Sequence, residues 1–164
     1  MAPTLAGRKS AHVQMLFLDT DNFTSMQEEW LEDRLRAGAE SEYAVVVGHH
    51  PVYSGGTHGN VMEGTPLHEM LTRHKVSAYI CGHDHNLQEL QRAGEPTRHF
   101  VTGAGSKLRS VRLVPNTTVW MKSTNGAQFC RVDEASMRCH FFDEDGMALR
   151  ESPPILPRDA GART

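Results

Sequence analysis

Tyr43-Ala44-Val45-Val46-Val47-Gly48-His49-His50-Pro51 runs from five uninterrupted apolar residues straight into a glycine and a pair of histidines. A run this short and this continuous suits a β-strand covered on both faces, as in a parallel sheet. Two further runs have the same character, His12 to Leu18 (HVQMLFL) upstream and Val76 to Cys81 (VSAYIC) downstream. Between the first two lies a helix pattern from Ser25 to Ala37. It opens on the capping-box spacing Ser25-x-x-Glu28, turns Met26, Trp30, Leu31 and Leu35 to its apolar side and stops at Gly38. Between the second and third, Thr65 and Pro66 have the form of an N-cap and first helical residue. The short helix they start reaches His74, with Leu67, Met70 and Leu71 inward. The predicted order is β-α-β-α-β, the connectivity of an open α/β sheet whose ligands bind beyond the carboxyl ends of parallel strands.

After Cys81 the pattern turns antiparallel. Leu87 to Leu90 and His99 to Thr102 read as short strands, and Gly103 to Thr118 as a polar connection. Phe129 to Val132 and Met137 to Phe142 flank the turn Asp133-Glu134-Ala135-Ser136, and Asp145-Gly146 starts a return through Met147 to Arg150. The register set by that turn puts Cys130 across from Cys139, with their Cα atoms expected within about 6 Å. The two are read as small apolar neighbours and not as a disulfide. Residues 1–12 are expected to be a disordered or truncated lead-in and residues 13–152 the folded part. Residues 153–164, with Pro153, Pro154 and Pro157, are expected to form a frayed tail.

Composition narrows the function classes. The 164 residues are 38% hydrophobic and 23% charged, the balance of one soluble globular domain. Formal charge is -3 and the 17 Lys and Arg are scattered, so no nucleic-acid surface is expected. No apolar stretch approaches the ~20 residues of a membrane span, so no membrane is expected either. The opening MAPTLAGRKS holds no apolar run of the secretory kind, which leaves the compartment unknown. Cys81, Cys130 and Cys139 are too few and too dispersed for a zinc knuckle.

Histidine is the outlier, with ten in the chain and eight of them between His49 and His99. His49 and His50 follow the second strand, and His83 and His85 follow the third in Gly82-His83-Asp84-His85-Asn86. Both groups therefore reach the same edge of the sheet, at Gly48 and Gly82, where a glycine lets the backbone turn sharply. Imidazole is the commonest metal ligand, and His49, His83 and His85 are the expected ligands. The His-x-His spacing suits one metal or two adjacent ones. Asp84 either bonds a ring nitrogen or stands outside the ligand shell. His12, His68, His74, His99 and His140 are read as ordinary surface or core residues.

The segments Gly48-His49-His50-Pro51-Val52-Tyr53-Ser54-Gly55-Gly56-Thr57-His58-Gly59, Tyr79-Ile80-Cys81-Gly82-His83-Asp84-His85-Asn86-Leu87-Gln88 and Val101-Thr102-Gly103-Ala104-Gly105-Ser106 resemble one known family. The likeness is to the carboxyl-terminal half of the tartrate-resistant (purple) acid phosphatases, within the calcineurin-like metallophosphoesterase superfamily, over about Val13 to Arg150. The resemblance implies part of an α/β/β/α sandwich and a metal-dependent phosphomonoester hydrolase in which metal-bound hydroxide attacks phosphorus in line. It implies a binuclear centre of Fe with Fe, Zn or Mn. His49 and His83 would lie on the divalent ion, His85 on the ferric one, His58 would help hold substrate or leaving group, and Asn86 would support the motif. His50 stands where these phosphatases often carry tyrosine, which adds an imidazole beside the site.

The family's first half carries Asp-x-Gly, Gly-Asp-x-x-Tyr and Gly-Asn-His-Asp motifs, and no such block precedes the first strand here. There is no Gly-Asp pair in the chain, and Gly59-Asn60 is followed by Val61. Asp19 and Asp21 end the first strand in a segment that matches no ligand motif. The chain is therefore expected to be a fragment whose partners are a phosphomonoester and a missing N-terminal half, and to hold at most one divalent metal. The alternative is a catalytically inactive half-domain that binds one divalent metal or a partner chain.

Overall fold

The architecture, in a computed structural model that describes residues 11–158, follows from which strands are apolar on both sides. The elements in chain order are β1 (Val13–Phe17), α1 (Ser25–Ala37), β2 (Tyr43–Val47), α2 (Pro66–Arg73), β3 (Ala78–Cys81), β4 (Leu87–Leu90), β5 (Arg98–Thr102), β6 (Thr118–Lys122), β7 (Gly126–Val132), β8 (Met137–Asp143) and β9 (Ala148–Glu151). Six strands form one sheet in the order β1-β2-β3-β5-β4-β6, and β7-β8-β9 form a second. β1, β2, β3 and β5 run parallel, β4 runs antiparallel to β5 and β6, and the second sheet is antiparallel throughout.

Alternation along β2 shows why its run is continuous. Ala44 and Val46 enter a core with Leu31 and Leu35 of α1 and Leu67, Met70 and Leu71 of α2. Tyr43 and Val45 enter a second core with Met137, Cys139 and Phe141 of β8. The layers are thus helices, mixed sheet, antiparallel sheet: part of the sandwich expected. Glu89, fully buried on β4, joins the layers through charge by pairing with Arg98 on β5 and, at 2.9 Å, with Arg150 on β9.

Several local expectations are corrected. β1 is not covered on both faces, because it is the edge strand and the second sheet packs against its neighbours. Val13, Met15 and Phe17 are exposed, and only Leu16 is buried. On α1, Leu31 and Leu35 are buried, but Met26 and Trp30 face solvent. Its N-cap is Thr24, without a side-chain capping bond, so Ser25 is already helical and the capping box does not form. β6, Thr-Val-Trp-Met-Lys, lies beyond the connection predicted to Thr118 and pairs the edge of β4.

The hairpin register is the predicted one, Cys130 opposite Cys139 with Cα atoms 4.0 Å apart. The two sulfurs are bonded, where unbonded packing was expected. The opposed pair sits close enough for the bond, and Cys139 is buried. The tail is not frayed as far as residue 158. Ile155 bridges to Met137, Ser152 Oγ accepts from the Cys139 N–H, and the Arg158 guanidinium donates to the Gly38 and Ser41 carbonyls. Residues 159–164 lie outside the described residues, as do residues 1–10 of the predicted lead-in. His12 is held by Glu42, whose carboxylate accepts its N–H at 2.8 Å.

Candidate metal centre at the strand ends

β2 and β3 deliver their loops to one place. The Gly48 N–H donates to the Ile80 carbonyl at 3.1 Å and the Gly82 N–H to the His49 carbonyl at 3.1 Å, which ties the two loops together. Gly48 has no alternative, since a Cβ there would lie 2.4 Å from the Tyr79 hydroxyl and 2.7 Å from Thr20 Cγ2. Gly82 is uncrowded. The unusual backbone belongs to His83 instead, at φ 62, a left-handed conformation of the kind held at functional sites at a cost of about 1–3 kcal/mol.

His49 Nε2 and His83 Nδ1 stand 3.1 Å apart. The ring centroid of His83 lies 4.4 Å from that of His50 and 4.2 Å from that of His58. His49, His50 and His83 each offer one ring nitrogen within 4.8 Å of the others. Two nitrogens bound at 2.0–2.1 Å to one tetrahedral ion stand about 3.3 Å apart, so the His49–His83 pair fits a shared cation. Burial first, and the imidazoles of His50, His58 and His49 after it, hold the His83 pKa below the ordinary histidine value, which keeps the ligand form.

His85 is not in that group. Its Nδ1 donates to the Lys107 carbonyl at 2.6 Å, which leaves Nε2 bare and aimed by a fixed partner, the usual arrangement behind a ligating histidine. Of the remaining histidines, His68 meets Tyr53 and Glu95, His74 meets Glu32, His140 meets Glu151 and His12 meets Glu42; His99 is buried.

Asp84 bonds no imidazole. Fully buried, it accepts from the Ser54 hydroxyl and, at 3.0 Å, from the His58 N–H, so it pins the glycine loop that carries His58. A Cβ on Gly56 would lie 2.2 Å from that carboxyl carbon. Gln88 extends the bracket by donating to Ser54 Oγ and Asn86 Oδ1 at 2.8 and 2.7 Å, which makes Asn86 part of the scaffold.

Two participants escaped the sequence reading. Thr20, just past β1, accepts the N–H groups of both His49 and His50 at 2.9 Å and lies 3.1 Å from His50 Nδ1. Arg109, past β5, donates to His58 Nε2 at 3.2 Å. Both follow parallel strands and reach the edge that the histidines reach, so the same strand-end rule points to them. The Arg109 loop is fastened to the site. The Arg109 N–H donates to the His85 carbonyl at 3.0 Å and the Arg112 N–H to the Gly55 carbonyl at 2.9 Å. Lys107, Arg109 and Arg112 make no ion pair with a described residue, so this rim is positive. Tyr53 is no metal ligand: its hydroxyl donates to Glu95 at 2.8 Å, and burial with that carboxylate pushes its pKa far up.

Residues 5–87 match the family described as calcineurin-like phosphoesterase. The tartrate-resistant acid phosphatase type 5 of Sus scrofa is 34% identical over 187 residues, taking in 93% of this chain and 53% of that protein. The chain thus spans about half the length of such relatives. Among solved structures, the GAP50 anchor in the inner membrane complex of Plasmodium matches with a TM-score of 0.79 at 19% identity, over 90% of this chain and 50% of that one. A purple acid phosphatase from yellow lupin seeds matches at 0.72 and 16% identity, over 85% of this chain and 30% of that one. At those identities the likeness is one of fold. On the match over residues 5–87, which encloses the His49 and His83 loops, the chain belongs to the calcineurin-like phosphoesterase family.

Proposed function

We propose that residues 13–152 supply the histidine half of a phosphomonoesterase site of the acid phosphatase type. The observation that carries this reading is the 3.1 Å approach of His49 Nε2 to His83 Nδ1. In the completed site, His49 and His83 would hold a divalent ion and His85, through its bare Nε2, a neighbouring one. When bound, such a pair supplies Lewis-acid polarisation of the phosphate and an activated water. The chain's own contributions are positional. The Lys107, Arg109 and Arg112 rim draws in a phosphate dianion, as an uncompensated positive edge does. Arg109 and His58 face its oxygens or the leaving group, and Asp84 holds His58 in place for them.

Among the described residues the ligand-spaced cluster is His49, His50 and His83 without a carboxylate: both Asp84 oxygens are taken, by the Ser54 hydroxyl and the His58 N–H, and Asp21 stands 3.8 Å from His50 Nε2 with its side chain turned largely to solvent. Bridging carboxylate would come from an N-terminal half outside this chain. The same observation favours the second reading, an inactive half-domain that takes one divalent ion or a partner chain. Both readings expect the purified chain to bind at most one zinc or manganese ion, more weakly at about pH 5 than at about pH 7.5 because protons compete for imidazole. They also expect little hydrolysis of an aryl phosphate and no purple colour. Calorimetric metal titration and a phosphate-release assay check this. Robust metal-dependent hydrolysis that His83→Ala abolishes would defeat both the half-site and the inactive readings, and a chain that binds no divalent ion would defeat the metal centre.

A further inference from the structure

We infer that His50 serves the histidine cluster as a fixed N–H donor to a bound oxyanion, and not as a third metal ligand. Thr20, beside His50, is 7% exposed. A hydroxyl oxygen has two lone pairs to accept with and one hydrogen to donate. The N–H groups of His49 and His50, each at 2.9 Å, use both lone pairs. His50 Nδ1 lies 3.1 Å from the same oxygen. Only the hydroxyl hydrogen is left to make that contact, so it donates to a bare Nδ1. A neutral imidazole that is bare at Nδ1 carries its hydrogen on Nε2.

Both ring nitrogens of His50 are therefore committed, Nδ1 to Thr20 and Nε2 to its own hydrogen. A metal ligand needs a bare nitrogen, and His50 has none to give without breaking the Thr20 bond. His85 is the converse case. Its partner, the Lys107 carbonyl, can only accept, which puts the hydrogen on Nδ1 and bares Nε2. The sheet edge thus holds two histidines in opposite tautomers, one shaped to ligate and one to donate.

What the His50 N–H would meet follows from its surroundings. The Asp21 carboxylate is 3.8 Å from Nε2, beyond hydrogen-bond length, and the side chain of Asp21 is 75% exposed. The His83 ring lies 4.4 Å away and the His49 ring 5.0 Å, centroid to centroid. His58 Nε2 is already occupied by Arg109. A tetrahedral oxyanion drawn to the cation pair-site of His49 and His83 would find the His50 N–H beside it, with the Arg109 guanidinium across the His58 ring. This oxyanion role rests on the phosphomonoester reading above; the tautomer does not.

The test uses the full 164-residue chain. Long-range proton–nitrogen correlation on metal-free, 15N-labelled protein at about pH 7.5 should show His50 bare at Nδ1 and protonated at Nε2, with His85 reversed. The opposite tautomer at His50 overturns the inference regardless of any phosphatase reading. In zinc titrations, His50→Ala should stay within about twofold of the parent while His49→Ala and His83→Ala lose about tenfold or more. An equal loss in His50→Ala makes His50 a ligand and overturns the inference. Inorganic phosphate should bind the zinc-loaded His50→Ala chain about tenfold more weakly than the parent, with part regained in His50→Gln, whose amide also donates. Unchanged phosphate affinity overturns the oxyanion role. A parent that takes up no zinc defeats the metal centre instead, and the phosphate comparison is then made on metal-free chains with the same expectation. Should His50→Ala fail to fold, Thr20→Val and Thr20→Ser carry the test: the first should release the fixed tautomer and the second preserve it.

Discussion

His99, 1% exposed on β5, lies edge-on to the rings of Tyr53 and Tyr79 at centroid distances of 4.9 and 6.0 Å. Neither ring nitrogen has a hydrogen-bond partner among the described residues. Burial, and after it the charges of His68 and Arg92, pushes its pKa down to about 3. In the unfolded chain the value returns to about 6.5. As the pH falls from about 6.5 toward 3 the unfolded chain takes up a proton that the folded chain refuses. The stability present above that window is therefore lost at up to about 1.4 kcal/mol per pH unit. The parent should lose about 2 kcal/mol between pH 7 and pH 5 from this residue, and His99→Phe, which keeps the ring packing, should not. Urea unfolding of both proteins at the two pH values decides it; equal losses would mean that His99 is not the acid-sensitive group. His99 was legible only as an ordinary histidine and not a ligand, because its pKa depends on which rings enclose it. Asp84 was likewise open between orienting an imidazole and standing apart. It bonds no ring nitrogen, because the groups that claim it, the Ser54 hydroxyl and the His58 N–H, come from a loop 30 and 26 residues away.

At the scale of elements, strands that are apolar on both sides announce themselves: β2 does so with both bounds, and β3 with its end at Cys81 but not its start, which is Ala78 and not Val76. β6 does not, because Val119 is exposed and Trp120 only half covered, so the segment has neither a continuous run nor a clean alternation. β1 was read correctly as a strand and wrongly as a covered one, since a run of apolar residues does not say whether a second layer reaches it. In the β7–β8 hairpin the four-residue turn settled the register from sequence, whereas bond formation depends on the oxidising capacity of the compartment as well as on geometry. The Cys130–Cys139 link closes a loop of sequence separation 9. Constraining the unfolded chain over so short a loop is worth about 2.5 kcal/mol in the chain-entropy description. Reduced protein, or Cys130→Ser with Cys139→Ala, should unfold at correspondingly lower denaturant with the six-stranded sheet retained. Far-UV circular dichroism with and without reductant reads this, and an unchanged midpoint would show that the link adds nothing.

For the whole molecule, the feature that matters is the outer edge of the parallel sheet. β1 pairs β2 on one side, and no described strand lies on the other. Val13, Met15 and Phe17, 37%, 53% and 66% exposed, share one of its faces. An open edge with an apolar face is a template for association. Sedimentation velocity should show the average mass of the chain rising with concentration, and Phe17→Glu should suppress the rise. A parent that stays monomeric at about 100 µM would count against this. The consequence reaches any measurement of folding. If folded chains associate and unfolded ones do not, mass action ties the folding equilibrium to protein concentration. The Tm of this chain then climbs on concentration and falls on dilution, and the Phe17→Glu chain is the one whose Tm stays put.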